Sequence, residues 1–405
     1  MKIAGIIAEY NPFHNGHQYH LEQTRQCSGA DAVIVAMSGE FVQRGEPASF
    51  DKRLRARWAL EAGADIVLEL PTVCAVSCAQ RFAQGAVATL AGTGLLTHLG
   101  FGCETDSLED LMQCEAALSI EEPHYIDALK GHLSSGKSFP RAQDEARRAC
   151  GLDPKLLRVL QNPNGVLGLE YLRALRQYAP DVVSVPILRR GAGHHDPAIQ
   201  GPSASASAVR AALKAGDDRA LSPLPEHVRA DIESALRGGQ GILTDARLSD
   251  CFLYALRAMD RARLRELPEV SEGLENALYR ACREAASYEE LLVRLKSKRY
   301  TLARLKRICC GALLDIDNAL QKSASEDPGA QYLRVLGMKK DAKRLVRALC
   351  EAARLPVLMR GEDFESLSEK ARKVFAVDER AKRICAIGRG IPCVEEMKER
   401  VLVVE

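Results

Sequence analysis

Two imidazoles three residues apart, His14 and His17, flank Gly16 just after the first apolar run of the chain. The surrounding segment, Ile6-Ile7-Ala8-Glu9-Tyr10-Asn11-Pro12-Phe13-His14-Asn15-Gly16-His17, reads as a strand running through a proline-containing loop into a helix. Such a turn aims backbone amides and the positive end of a helix at whatever lies above the strand tip, which suits phosphate. The imidazoles add hydrogen-bond donors that can carry positive charge, and a glycine between them lets a ligand approach the backbone closely. Two plainer readings stay open: histidines that merely cap a helix in a packed turn, or a zinc site with His20 as third ligand. The absence of a nearby cysteine and the strand-loop-helix context favour an anion.

A second segment, Ser205-Ala206-Ser207-Ala208-Val209-Arg210, begins another helix. Hydroxyls at an N-cap with an arginine one turn in form a further anion cradle, although serine at a helix start is often only a cap. Together the two segments describe a two-sided phosphate clamp.

Positioning them requires a sheet. Apolar runs over 2–8, 32–37, 65–70, 98–102 and 182–188, rich in Ile, Val and Leu, alternate with amphipathic stretches over 16–26, 51–62, 76–90, 107–117 and 166–178. Strands apolar on both faces and separated by helices imply a parallel sheet of βαβ units. The Gly-, Pro- and Ser-rich stretch 191–206 reads as a crossing between domains, after which strand signals almost vanish and helical periodicity runs to about residue 400. Only 401–404 hints at a late strand. The expectation is an α/β domain over 1–200 followed by a mainly helical domain over 201–405.

The chain has 405 residues, 46% of them hydrophobic, and a formal charge of +2, so any basic surface must be local. Thirteen cysteines without a CxxC pair suggest thiols in a reducing compartment. No stretch is long and apolar enough to span a bilayer, and the first residues do not resemble a signal peptide, which points to a soluble cytoplasmic protein.

Four longer strings narrow the reading: residues 9–17 quoted above; Met37-Ser38-Gly39-Glu40-Phe41-Val42-Gln43-Arg44-Gly45-Glu46-Pro47; Pro163-Asn164-Gly165-Val166-Leu167-Gly168-Leu169-Glu170-Tyr171; and Gly191-Ala192-Gly193-His194-His195-Asp196. In this order, with Lys298-Arg299-Tyr300-Thr301 further on, they resemble the bacterial tRNA(Met) cytidine acetate ligase family, within the HIGH-motif nucleotidyltransferase superfamily. The resemblance implies a Rossmann-like parallel-sheet nucleotidyltransferase domain and a two-step reaction. Acetate and ATP, the latter with Mg2+, give acetyl-adenylate and pyrophosphate; the acetyl group then passes to the wobble cytidine of elongator tRNA(Met). It implies catalytic roles for His14 and His17. It also implies ATP contacts over Ile7, Ala8, Glu9, Tyr10, Asn11, Pro12, Phe13, His14, Asn15, Gly16, His17, Gln18, Tyr19 and His20, together with Gly102, Asn164, Arg189, Arg190 and Ser207. No protein metal ligand, membrane or DNA is implied. Segment 38–44 is expected to help shape an acetate pocket, while Lys52 and Arg53 read as surface charges.

Between residues 294 and 307 the cations Arg294, Lys296, Lys298, Arg299, Arg304, Lys306 and Arg307 occur without an acidic residue, with Tyr300 among them. This pattern suits RNA phosphates and a stacked base; a solvated helix face is the alternative. Lys298, Arg299, Arg304, Lys306 and Arg307 are therefore the expected tRNA contacts. A second run over Lys339, Lys340, Lys343, Arg344 and Arg347 carries the same reading more weakly. Two competing functions remain: a small-molecule nucleotidyltransferase, or a non-catalytic RNA-binding factor.

Overall fold

The computed structural model describes residues 1–103, 107–119, 123–137, 139–189, 199, 204–238, 242–297, 299–327 and 331–405. Arg190, Lys298 and the string 191–196, with His194, His195 and Asp196, lie outside them.

The five expected strands form the parallel core of one sheet. They are β1 (Ile3–Ala8), β2 (Ala32–Ser38), β5 (Ile66–Leu70), β6 (His98–Cys103) and β7 (Val183–Leu188), in the order β5-β2-β1-β6-β7. A two-stranded hairpin, β3 (Phe41–Val42) with β4 (Glu46–Pro47), follows β2. The chain builds outwards from β1 in both directions, through β2 and β5 on one side and β6 and β7 on the other. The reversal between β1 and β6 opens a crevice at their carboxyl ends, where ligands bind in open α/β sheets.

Helices cover both faces. Leu90 of Ala79–Gly92 and Leu169 of Pro163–Tyr178 join Ile3, Ile34 and Leu99 in one apolar layer. Trp58, Ala59 and Leu60 of Lys52–Glu61 join Ala4, Ile6 and Val33 in the other, with Leu21 of Asn15–Ser28. Asn15–Ser28 lies so close to β6 that a Cβ at Gly100 would stand 2.3 Å from Thr24 Cγ2. A glycine is required there.

From Ala206 onward most elements are helical, but the expectation that strands nearly vanish fails at one place. Leu333–Lys339 is a full strand, β8, antiparallel to β5; β9 (Val357–Leu358) and β10 (Leu402–Val404) run parallel beside it. The sheet thus crosses the boundary at residue 200. Five residues of β8, Leu333 to Gly337, are buried. Buried Arg334 donates to the Glu396 carbonyl at 2.9 Å, so a charge inside this strand masked its pattern. Lys52, read as a surface charge, is also buried: its Nζ lies 2.7 Å from Glu69 and bonds Glu396. All thirteen cysteines are free thiols. Among the described residues no helix is long and apolar enough to cross a membrane.

Candidate active site

A cavity of about 250 Å³ opens at the carboxyl ends of β1 and β6. Its wall comprises Ile7, Ala8, Glu9, Tyr10, Asn11, His14, Gly16, His17, Tyr19 and His20 from the opening strand, loop and helix, with Gly102, Asn164 and Arg189 opposite. These are thirteen of the nineteen positions expected to contact ATP. Pro12 and Phe13 are buried beside the wall rather than in it, and Asn15 donates its amide to the Pro223 carbonyl. Gln18 is turned to Glu22. Asn164 lies in the first turn of Pro163–Tyr178, with proline at its start.

The loop before the first helix is packed from beneath. Tyr10 and Phe13 are buried, with ring centroids 4.8 Å apart, and Tyr10 meets the His17 ring edge-on at 5.0 Å. His14 is the N-cap: its Nδ1 accepts from the Gly16 amide at 3.0 Å, while His17 Nδ1 accepts from the His14 amide at 3.3 Å. The rings stack with centroids 3.7 Å apart. His14 therefore caps the helix and lines the cavity at once. With each Nδ1 accepting, the hydrogen of each neutral ring sits on Nε2.

The expected positive charge is absent without ligand. Burial, then the Arg189 guanidinium, pushes His14 down to about 3. Burial followed by His14, Arg189 and His20 holds His17 well below its ordinary value, and burial with Arg189 brings His20 to about 4. The rings are neutral donors that do not repel one another at close range. The three are not gathered to hold a metal; indeed no such group of His, Cys, Asp or Glu occurs among the described residues.

The second clamp segment arrives differently from its sequence reading. Ser205 and Ala206 line the cavity, whereas Ser207 does not. Ser205 Oγ caps Ala206–Ala215 by accepting from the Ala208 amide at 3.2 Å and shares a 3.0 Å hydrogen bond with Ser207 Oγ. Arg210 is turned onto the loop: Nη1 donates to the Asn11 carbonyl at 2.7 Å, and Nη2 lies 3.7 Å from Glu46. It braces the loop that precedes the first helix.

Sequence reasoning named segment 38–44 without assigning contacts, and it missed Phe82, Phe101, Leu167, Tyr171 and Ile187. The structure puts Gln43 and Arg44 of the hairpin tip in the wall, with those five as its apolar lining. The apolar positions look like ordinary core in sequence, so periodicity held no signal for them. Gly45, at φ +74°, turns the hairpin; a Cβ there would stand 2.4 Å from the Arg307 amide nitrogen. Leu302–Leu314 thus packs directly on the hairpin that lines the cavity.

That contact divides the expected RNA surface. Arg299 is exposed, beside Glu272, and Arg304 lies over the Tyr300 ring at 5.1 Å while donating to the Glu269 carbonyl at 2.6 Å. Lys306 is instead bound to Glu46 at 2.6 Å and Asp245 at 2.7 Å, and Arg307 to Glu269 at 2.5 Å, each cation's side chain only 12% exposed. These two are internal ion pairs rather than a basic face. The second run lies elsewhere: the Lys339 amide donates to the Asp65 carbonyl, at the amino end of the parallel strands. It faces away from the cavity mouth.

Known proteins share this architecture. The HIGH Nucleotidyl Transferase family matches residues 1–399. The tRNA(Met) cytidine acetate ligase of Caldanaerobacter subterraneus subsp. tengcongensis is 37% identical over 383 residues, 93% of this chain and 94% of its own. That of Syntrophomonas wolfei is 37% identical over 377 residues, 91% and 89% of the two chains. Thermotoga maritima TmcAL superposes over 100% of both chains, with TM-score 0.92 and 28% identity in its apo crystal form and 0.90 and 29% when bound with alpha-thio ATP. The chain belongs to the tRNA(Met) cytidine acetate ligase family of HIGH nucleotidyltransferases.

Proposed function

We propose that this chain is an ATP-dependent ligase that condenses acetate with ATP to acetyl-adenylate and passes the acetyl group to the wobble cytidine of elongator tRNA(Met), forming N4-acetylcytidine. The observation that carries the reading is the meeting of three dispersed segments, the His14–His17 turn, the helix start at Ser205 and the Gln43–Arg44 hairpin tip, in one cavity at the sheet's switch point. A cytosine amine delocalises its lone pair into the ring and attacks poorly, so the acyl group needs an activated leaving group. A mixed anhydride with AMP supplies one.

In the first step a carboxylate oxygen of acetate attacks the α-phosphorus and the bond to pyrophosphate breaks. The Nε2–H groups of His14 and His17 are suited to bonding phosphoryl oxygens as charge builds, and Arg189 adds a fixed cation at the rim. Donors that are already in place and uncharged need no reorganisation. Imidazole, guanidinium and backbone N–H donors suit the phosphate anions; among the described residues the wall adds a single carboxylate, Glu9, so Mg2+ would travel mainly on the triphosphate. Arg299, Tyr300 and Arg304 stand at the start of the helix that packs against the hairpin, a position suited to an anticodon arm whose base enters the cavity. A small-molecule nucleotidyltransferase would need no such surface.

Incubating the protein with ATP, labelled acetate and total tRNA, then digesting the RNA, tests the assignment. Label is expected in N4-acetylcytidine of elongator tRNA(Met) alone. Unlabelled tRNA, or label in another nucleoside, would refute the substrate assignment.

A further inference from the structure

Acyl transfer to an exocyclic amine releases a proton, and the cavity offers few places to put it. The first lone pairs to consider are the imidazoles, yet His14 and His17 already accept backbone hydrogens at Nδ1, which leaves each ring hydrogen on Nε2 and no lone pair free. His20 is made a weak base by burial and by Arg189. Guanidinium groups have no basic lone pair to offer, and burial makes the phenols of Tyr10 and Tyr171 hold their protons more tightly than free phenols. Tyr19 is a phenol as well, a donor before it is an acceptor. Glu9 is the carboxylate of the cavity wall.

Its setting is built rather than incidental. Glu9 follows β1 directly, at the switch point, and its backbone carbonyl is gripped by Arg55 Nη1 at 2.7 Å. One carboxylate oxygen, Oε1, accepts the Gln43 amide at 2.9 Å; the other is bonded to no described residue. We propose that Glu9 is the proton acceptor of the acyl-transfer half-reaction, an assignment that rests on the acetyl-transfer reading above. The N4 lone pair attacks the carbonyl carbon of acetyl-adenylate and the C–N bond forms. The C–O bond to the phosphate breaks with its electron pair leaving on AMP, and the N4 proton passes to the Glu9 carboxylate.

The groups that face Glu9 set its basicity. Burial raises its pKa, opposed by Arg210 on the Ala206–Ala215 helix and by Arg44 on the hairpin, while Glu46 raises it further. Arg55 from the Lys52–Glu61 helix and Tyr171 from the Pro163–Tyr178 helix also face it. A carboxylate lifted above its ordinary value accepts a proton more readily at neutral pH than an exposed one.

The test supplies chemically made acetyl-adenylate and tRNA(Met) to wild type, Glu9→Gln and Glu9→Asp, and follows N4-acetylcytidine in a single turnover beside acetate-dependent ATP–pyrophosphate exchange. Glutamine keeps the acceptor for the Gln43 amide. Transfer by Glu9→Gln is expected to fall about 100-fold or more, with exchange falling less than about tenfold and Glu9→Asp lying between. Wild-type transfer should rise with pH along a limb whose midpoint lies above about 4.3, the ordinary glutamate value, and Glu9→Gln should lack it. Equal transfer by Glu9→Gln and wild type overturns the assignment alone, as does equal loss of exchange and transfer, which would reduce Glu9 to a loop support. Should the variant not fold, a wild-type transfer rate flat from about pH 4.5 to 8 overturns it on its own. Failure of wild type to make acetylcytidine overturns the functional reading and this assignment with it.

Discussion

His14 performs two jobs that a single substitution can separate. Its Nδ1 caps the Asn15–Ser28 helix, its ring lines the cavity, and its remaining hydrogen sits on Nε2. Asparagine is among the best N-cap residues, so His14→Asn keeps the cap and removes the outward donor. Loss of the stacked contact with His17 at 3.7 Å should cost about 1 kcal/mol or less. A domain stabilised by as little as about 5 kcal/mol would then still be folded roughly a thousand to one. Loss of one preorganised donor to a developing phosphoryl charge is worth about 100- to 1,000-fold in rate, or about 2.7–4 kcal/mol. His14→Ala gives up the cap too, adding about 1 kcal/mol of destabilisation. Acetate-dependent ATP–pyrophosphate exchange reads the first effect and urea unfolding the second. The two variants should be similarly slow but differently stable. Exchange by His14→Asn within about threefold of wild type would refute the catalytic role, whatever its stability.

Three further outcomes follow from charges the fold has sorted. Arg299→Glu should weaken tRNA binding and flatten its salt dependence, whereas Lys306→Ala should lower stability with little change in that slope, because Lys306 is bound to Glu46 and Asp245; filter binding against salt and thermal unfolding distinguish them, and matching behaviour would erase the division. Lys52→Met removes the cation shared by the buried carboxylates Glu69 and Glu396, with Arg334 remaining 3.5 Å from Glu396, and should cost about 3–5 kcal/mol in urea unfolding; a loss below about 1 kcal/mol would contradict the burial. The folded pKa of His14, about 3, lies below the ordinary imidazole value of about 6.5, so the unfolded chain binds more protons between them and stability falls as pH drops through about 6.5. At pH 5.5 the loss from this residue is about 1.4 kcal/mol relative to pH 8, so His14→Asn should show the shallower decline; equal slopes would mean that the ring is not neutral in the apo protein.

What could be read in advance depended on how local its cause was. The His14–His17 turn was legible because strand, loop, cap and donors lie within about a dozen consecutive residues. The five core strands were legible because each is a short, mainly apolar run set between helical stretches. Lys306 and Arg307 were misjudged because their neutralising partners, Glu46, Asp245 and Glu269, are 38 or more positions away. A run without acidic residues is not a basic surface when the fold brings acids to it. The same separation hid Lys52, whose partner Glu396 lies 344 positions on. β8 was overlooked because Arg334 interrupts its apolar pattern, and the groups that receive its guanidinium, Glu396 and the Phe364 ring, lie far along the chain. Tyr171 and Phe82 had the look of core residues, which they also are.

These long-range pairs explain why the cavity cannot belong to the first 200 residues alone. Ser205 and Ala206 supply part of its wall. The hairpin carrying Gln43 and Arg44 is held by Leu302–Leu314 at Gly45, by Lys306 at Glu46, and at its entrance by Arg389, which donates to Glu40 at 2.8 Å. Glu46 also stands 3.7 Å from Arg210, whose other nitrogen holds the Asn11 carbonyl of the loop before the first helix. A continuous set of polar contacts therefore runs from the helix that follows Arg299, through the hairpin, to the loop that carries His14 and His17. Pairs this short, with cations and carboxylates largely withdrawn from water, tolerate little displacement, because separating them strands a poorly solvated charge. The helical half is thus part of the scaffold that holds the walls of this cavity in place.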